Sequence, residues 1–128
     1  MSVPEELRYT EEHEWVATRG EDTLVRIGIT EYAQDQLGDV VFVDLPEVGR
    51  HVGGGDVFGE VESTKSVSEL FAPVDGEIVS VNNAVADSPE LINSDPYGEG
   101  WLIEIRLDDP SALEALLEAE AYDALIKG

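Results

Sequence analysis

The chain has 128 residues, 29 of them acidic against 7 basic, a formal net charge of −22, 42% hydrophobic residues and no cysteine. This length sets one domain, 1–128, with a single core that buries roughly two-thirds of the unfolded surface. The charge repels phosphate backbones and anionic membrane faces, which excludes nucleic-acid binding, and the missing thiols exclude disulfides, thiolate metal sites and a cysteine nucleophile.

Disorder and a folded life in high salt both fit so acidic a chain. The apolar content and the alternation described below favour the second. Screening shortens from about 8 Å at physiological ionic strength to about 3 Å at 1 M salt, so a halophilic setting relieves the self-repulsion. No apolar run reaches the ~18 residues of a membrane span. The first residues, Met1 to Glu6, carry no signal or transit pattern. The expected location is the cytoplasm, with no membrane partner.

In chain order, Leu7 to Tyr9 forms a short first strand. His13 to Ala17 forms a second, closed by a turn at 19–22. Thr23 to Ile29 is the third, alternating Leu24, Arg26 and Gly28 with Val25, Ile27 and Ile29. Thr30 caps a short helix that Gly38 ends; Tyr32, Ala33 and Leu37 have helical spacing. Val40 to Leu45 is β-type. The triplet Gly53-Gly54-Gly55 invites a phosphate-loop reading, but such a loop opens a helix, and Val57 onwards is a strand. The triplet reads as a turn.

Phe58 to Phe71 then alternates on both sides of a polar tip, Ser63-Thr64-Lys65-Ser66, which spells a β-hairpin. On the first arm Phe58, Glu60 and Glu62 share one face, opposite Gly59, Val61 and Ser63. Pro73 to Gly76 is a turn, Glu77 to Val81 a strand ended by Asn82-Asn83, and Ser88-Pro89 opens a brief helical turn. A loop runs to Gly100, and Trp101 to Leu107 is a strand. A C-terminal helix spans about 110–126 from a cap at Asp109 or Ser111, with Leu113, Leu116, Leu117, Ala121 and Ala124 as its stripe. The class is mainly β, a sandwich or flattened barrel with peripheral helices. A faint internal echo links Gly54-x-Asp56-Val57 with Val74-Asp75-Gly76-Glu77-Ile78.

Lysine occurs only at Lys65 and Lys127; the other five basic residues are arginines. Lys65 is either a solvated surface lysine or an amine to which something is attached. Catalysis finds few parts here. His13 and His51 lie far apart and match no metal-ligand spacing. Ser63, Lys65 and Ser66 would make a Ser–Lys dyad only if the amine were desolvated, which an exposed tip does not provide. A carrier needs the reverse: an open, rigidly placed amine whose tethered group reaches several client sites at high effective concentration.

The stretch Glu62-Ser-Thr-Lys-Ser-Val-Ser-Glu-Leu70 resembles the lipoylation site of glycine cleavage system H proteins. His13-Glu-Trp-Val16, Gly28 to Asp35, Leu37 to Pro46, Pro73 to Glu77, Leu91-Ile-Asn93 and Asp95 to Trp101 resemble that family's segments in the same order, so the likeness covers nearly the whole chain. Biotin carriers usually flank their lysine with methionine, unlike Thr64 and Ser66. Lipoyl domains of 2-oxo acid dehydrogenases lack the terminal segments.

The resemblance implies a barrel-sandwich hybrid and a non-catalytic carrier with lipoic acid amide-linked to Lys65 by a lipoyl-attaching enzyme. It implies three partners: a pyridoxal-phosphate glycine decarboxylase that places an aminomethyl group on the arm, a folate-dependent aminomethyltransferase that removes the methylene, and a dihydrolipoamide dehydrogenase that reoxidises the dithiol. It also implies a cleft that shelters the arm, with Glu14 and Glu69 at the matching positions and no metal. Glu12 stands where many members carry a small polar residue. The alternative is an H-like carrier that relays lipoyl groups to other proteins or serves another oxidoreductase.

Overall fold

The computed structural model describes residues 2–19 and 21–127. Ten strands and four α-helices alternate along it. The first strands are β1 (Arg8–Tyr9), β2 (Glu14–Arg19) and β3 (Glu21–Ile29); α1 (Glu31–Leu37), β4 (Val40–Asp44) and β5 (His51–Val52) follow. Next come β6 (Val57–Ser63), β7 (Val67–Phe71), β8 (Gly76–Val81), α2 (Asn83–Asp87) and α3 (Leu91–Ser94). The chain ends with β9 (Ile103–Leu107), a 3₁₀ helix (Pro110–Ala115), β10 (Leu117–Glu118) and α4 (Ala119–Lys127). Of the turn expected at 19–22, Arg19 belongs to β2 and Glu21 and Asp22 to β3, while Gly20 lies outside the described residues.

Two antiparallel sheets face each other, one ordered β10-β1-β2-β3-β9-β8-β5 and the other β4-β6-β7. The inward positions are those the alternation marked: Val25, Ile27 and Ile29 of β3 and Ile103 and Ile105 of β9 pack with Val43, Phe58, Val61 and Leu70. A second apolar cluster, Leu7, Tyr9, Trp15 and Tyr122, sits beyond the other face of β1 and β2. A mainly β sandwich with peripheral helices is thus the observed fold.

Two expectations need correction, and a third, that Asn82 ends β8, holds with an added role. The hairpin's first arm does not keep one phase: Phe58 and Val61 are both buried. The register slips between Val57 and Gly59, and the extra residue turns Phe58 inward without turning Val61 out. Only glycine fits that slip, because a Cβ on Gly59 would sit 2.3 Å from the Asp44 carbonyl oxygen.

Asn82 does not merely end β8. Its side chain accepts from Ala84 N–H at 3.1 Å and so caps α2. The same amide donates to the carbonyls of Glu99 and Trp101, both at 2.7 Å.

The single helix over 110–126 is broken. Asp109 caps its first turn as expected, but Leu116 is extended (φ −82, ψ 159). Leu117 and Glu118 then pair with Tyr9 and Arg8. The open edge of β1 offers backbone partners that a helix could not use, and tertiary pairing overrides local helix preference. Helix α4 restarts at Ala119 and delivers Tyr122 to the second cluster.

Candidate functional site

Three serine and threonine positions fix the hairpin tip. Ser63 N–H donates to the Ser66 carbonyl at 2.8 Å. The buried Ser63 Oγ accepts from the N–H groups of Lys65 (3.2 Å) and Ser66 (3.1 Å). Thr64 N–H donates to the Asp39 carbonyl at 3.0 Å, tying the tip to the link between α1 and β4.

That link is itself held. Asn93 Nδ2 donates to the Gly38 carbonyl and Asn93 Oδ1 accepts from Val40 N–H, at 2.9 and 2.8 Å. Gly38 has φ +85, and a Cβ there would meet Lys65 Cε at 3.3 Å. Glycine therefore both ends α1 and leaves a track for the lysine stem. The result is an exposed amine on a tip whose backbone is hydrogen-bonded on both sides of it. The two aspartates of the internal echo also converge: Asp56 and Asp75 accept from Gly53 and Gly54 N–H, at 2.8 and 2.6 Å, closing the glycine turn at the hairpin's base.

Beside the tip opens a cleft of about 390 Å³. Its walls are the hairpin from Ser66 to Leu70, the α1 face of Tyr32, Ala33, Gln36 and Leu37, and the segment Glu12–Glu14. Both carboxylates expected there, Glu14 and Glu69, line it. Glu69 is exposed at the rim.

Glu14 is 2% exposed. Its Oε1 accepts from Thr10 Oγ1 at 2.8 Å, and its Oε2 accepts from Phe71 N–H at 3.2 Å, an amide on the open edge of β7. Burial pushes its carboxyl up to about 7, and the hydrogen bonds only partly offset that rise.

Sequence reasoning missed what holds the Glu12–Glu14 segment. His13 has φ +69, a left-handed backbone that a non-glycine residue adopts rarely. Its N–H and C=O are paired with Thr10 C=O and Thr30 N–H, and its Nδ1 lies 2.9 Å from Tyr122 Oη. Tyr122 Oη also lies 2.7 Å from Thr30 Oγ1, and its ring stacks on Tyr9 at 4.6 Å. Burial lowers the His13 pKa. Helix α4 therefore braces the cleft wall through one hydroxyl. No spacing pattern signals a contact across 109 residues. Tyr32, Ala33 and Leu37 did announce themselves by helical spacing; the structure puts that stripe on the cleft as well as on the core.

A β-sandwich that holds one amine out on a stiff hairpin, with a sheltered hollow at its foot, is built as a carrier. Among the described residues no group of three or more His, Asp or Glu could hold a metal ion, and no helix is long and apolar enough to cross a membrane.

Comparison with known proteins makes the class specific. The glycine cleavage H-protein family model matches residues 7–128. The chain is 59% identical to a glycine cleavage system H protein of Mycolicibacterium smegmatis over 97% of this chain and 96% of that protein. It is 52% identical to one of Bacteroides thetaiotaomicron over the full length of both. The crystal structure of an H protein from Mycobacterium marinum superposes with a TM-score of 0.89 at 46% identity, covering 98% of this chain and 100% of that one.

The chain belongs to the glycine cleavage H-protein family. It is a non-catalytic carrier subunit whose cofactor is lipoic acid held on a lysine. It shuttles the aminomethyl group of glycine between the glycine decarboxylase and the aminomethyltransferase.

Proposed function

We propose that Lys65 is the lysine that bears the lipoyl group, and that Glu14 and Glu69 receive the cationic end of the arm when it folds into the cleft. The observation that carries this reading is the pairing of a fixed, exposed amine with a hollow that begins one residue later, at Ser66. The residues fit the group. Ile29, Ala33, Leu37 and Leu70 give an aliphatic chain an apolar wall, and three carboxylates, Glu12, Glu14 and Glu69, stand in the same hollow.

Lipoic acid supplies a readily opened cyclic disulfide, the sulfur chemistry that a chain with no cysteine lacks. The protein's own contribution is shelter and charge. A cation beside Glu14 favours its ionised form, so Glu14 gives up a proton as the cation enters and becomes its counter-charge. Glu69 adds a second negative charge at the mouth.

A dihydrolipoamide dehydrogenase and a lipoyl-attaching enzyme complete the set of partners, each needing the open amine or its arm. The cytoplasm of a high-salt cell suits the −22 charge. Peptide mapping of natively expressed protein tests the attachment: a lipoyl mass on the Lys65 peptide and none on the Lys127 peptide. An unmodified Lys65 in protein that is active in glycine cleavage overturns it.

A further inference from the structure

We propose that Asn93 is a positioning residue for the carrier arm. Its side-chain amide holds the α1–β4 link so that the Lys65 stem leaves the hairpin tip across Gly38, on the side of the cleft, and the sheltered position of the arm is favoured over the open one. This rests on the reading of Lys65 as the attachment point.

Asn93 sits on α3, next to Ile92, which is fully buried in the main core. Its amide makes three hydrogen bonds to the stretch that leads into β4. Nδ2 donates to the Gly38 carbonyl and to Gln34 Oε1, both at 2.9 Å, and Oδ1 accepts from Val40 N–H at 2.8 Å. An amide nitrogen carries two donors, and both are used here. One half-buried side chain thus grips α1, the link after it and the first residue of β4 together.

That grip reaches the lysine by two routes. Asp39, between the two backbone groups that Asn93 holds, accepts from Thr64 N–H at 3.0 Å, and Val40 pairs with Ser63. Gly38 carries the stem itself: a Cβ there would lie 3.3 Å from Lys65 Cε and 3.9 Å from both Cδ and Nζ. With φ +85 and no side chain, Gly38 is the residue of the link with the most backbone freedom to lose. Asn93 is what ties its carbonyl down.

The direction matters because of what stands next to Gly38. Leu37 precedes it in the chain and, with Ala33 and Gln36 of the same helix, walls the cleft. A stem seated on Gly38 starts the tethered chain beside that wall. A tip released from the link samples other directions, and each adds to the open population without adding a contact in the cleft. Asn93 does not line the cleft, so its effect passes through Gly38 and Asp39.

The test follows aminomethyl-loaded protein, after peptide mapping has located the lipoyl group in each variant. Asn93→Ala removes all three bonds and should shorten the half-life with which the aminomethyl group is retained without enzymes by about fivefold, the effect of one net hydrogen bond on an equilibrium. Asn93→Asp keeps an acceptor for Val40 N–H but has neither donor, and should shorten it too. Asn82→Ala is the control. It also removes three hydrogen bonds, to Ala84, Glu99 and Trp101, none of them in the hairpin or the link. It should lower the urea midpoint comparably and leave the half-life unchanged. In unlipoylated protein, deuterium exchange of the Thr64 amide should speed up in both Asn93 variants and not in Asn82→Ala. Wild-type half-lives in the Asn93 variants overturn the proposal, as do an equal shortening by Asn82→Ala or Thr64 exchange at the wild-type rate. A lipoyl group mapped to another residue overturns the reading of Lys65 and this proposal with it.

Discussion

Glu14 makes the stability of this protein depend on pH in a direction opposite to that of a salt-bridged carboxylate. Its carboxyl ordinarily titrates near 4.5 and is pushed up to about 7 in the fold by burial. The folded chain therefore holds the proton more tightly than the unfolded chain, and ionisation of Glu14 destabilises the fold. That cost is absent below about pH 4.5, grows as pH rises towards 7, and is complete above it. At about 1.4 kcal/mol for each tenfold gain in proton affinity, the group makes the protein roughly 2–3 kcal/mol more stable at pH 5 than at pH 8.

Urea titrations across that range, in fixed molar KCl to screen the exposed carboxylates, read this as a midpoint falling by about 1 M. Glu14→Gln keeps the shape and an acceptor for Thr10 or Phe71 but has no proton to release. The difference between the two pH profiles isolates the one titration, with a slope near 1.4 kcal/mol per pH unit between pH 5 and 7. Parallel profiles would refute the reasoning, because burial would then not be raising this carboxyl.

Other expectations follow from single contacts. Glu14→Ala removes the buried counter-charge of the cleft and should shorten the half-life with which the protein retains the aminomethyl group without enzymes; an unchanged half-life removes Glu14 from that role. Tyr122→Phe deletes the hydroxyl between His13 and Thr30 and should lower stability by about 1–3 kcal/mol, read as a denaturant midpoint. Gly59→Ala drives a methyl into the Asp44 carbonyl at the β4–β6 register. It should cost at least about 1–3 kcal/mol, and a wild-type melt would show that the slip is not required. The melting temperature should rise as KCl approaches molar; equal midpoints in low and high KCl would count against a high-salt setting for the −22 charge.

The strands were legible wherever a residue's environment depends on its immediate neighbours. Val25, Ile27 and Ile29 alternate in the sequence and are all buried in the structure. Thr30 and Gly38 bound α1 because a hydroxyl at the start and a glycine at the end satisfy local backbone groups. The hairpin tip was legible for the same reason. The phase of its first arm was not, because the slip at Gly59 answers to Asp44 on another strand. The C-terminal helix was overextended because its sequence favours helix and nothing in it records the waiting edge of β1.

The cleft divides in the same way. Glu14 and Glu69 could be picked out beside their motifs, yet a lone glutamate in so acidic a chain resembles any other. What distinguishes Glu14 is its burial against Thr10 and the β7 edge, a property of packing. The sequence alone determined the mainly β class, the hairpin and the scarcity of lysine that marks Lys65, since each follows from residue type and short-range spacing; with no cysteine, any sulfur chemistry has to come from a cofactor. Only the tertiary structure decided which walls meet to make the cleft, that Tyr122 of the last helix braces His13, and that Phe42 and Val67 flank Glu62 in one row across the β4-β6-β7 sheet. Those are contacts between segments tens of residues apart, set by how two sheets pack.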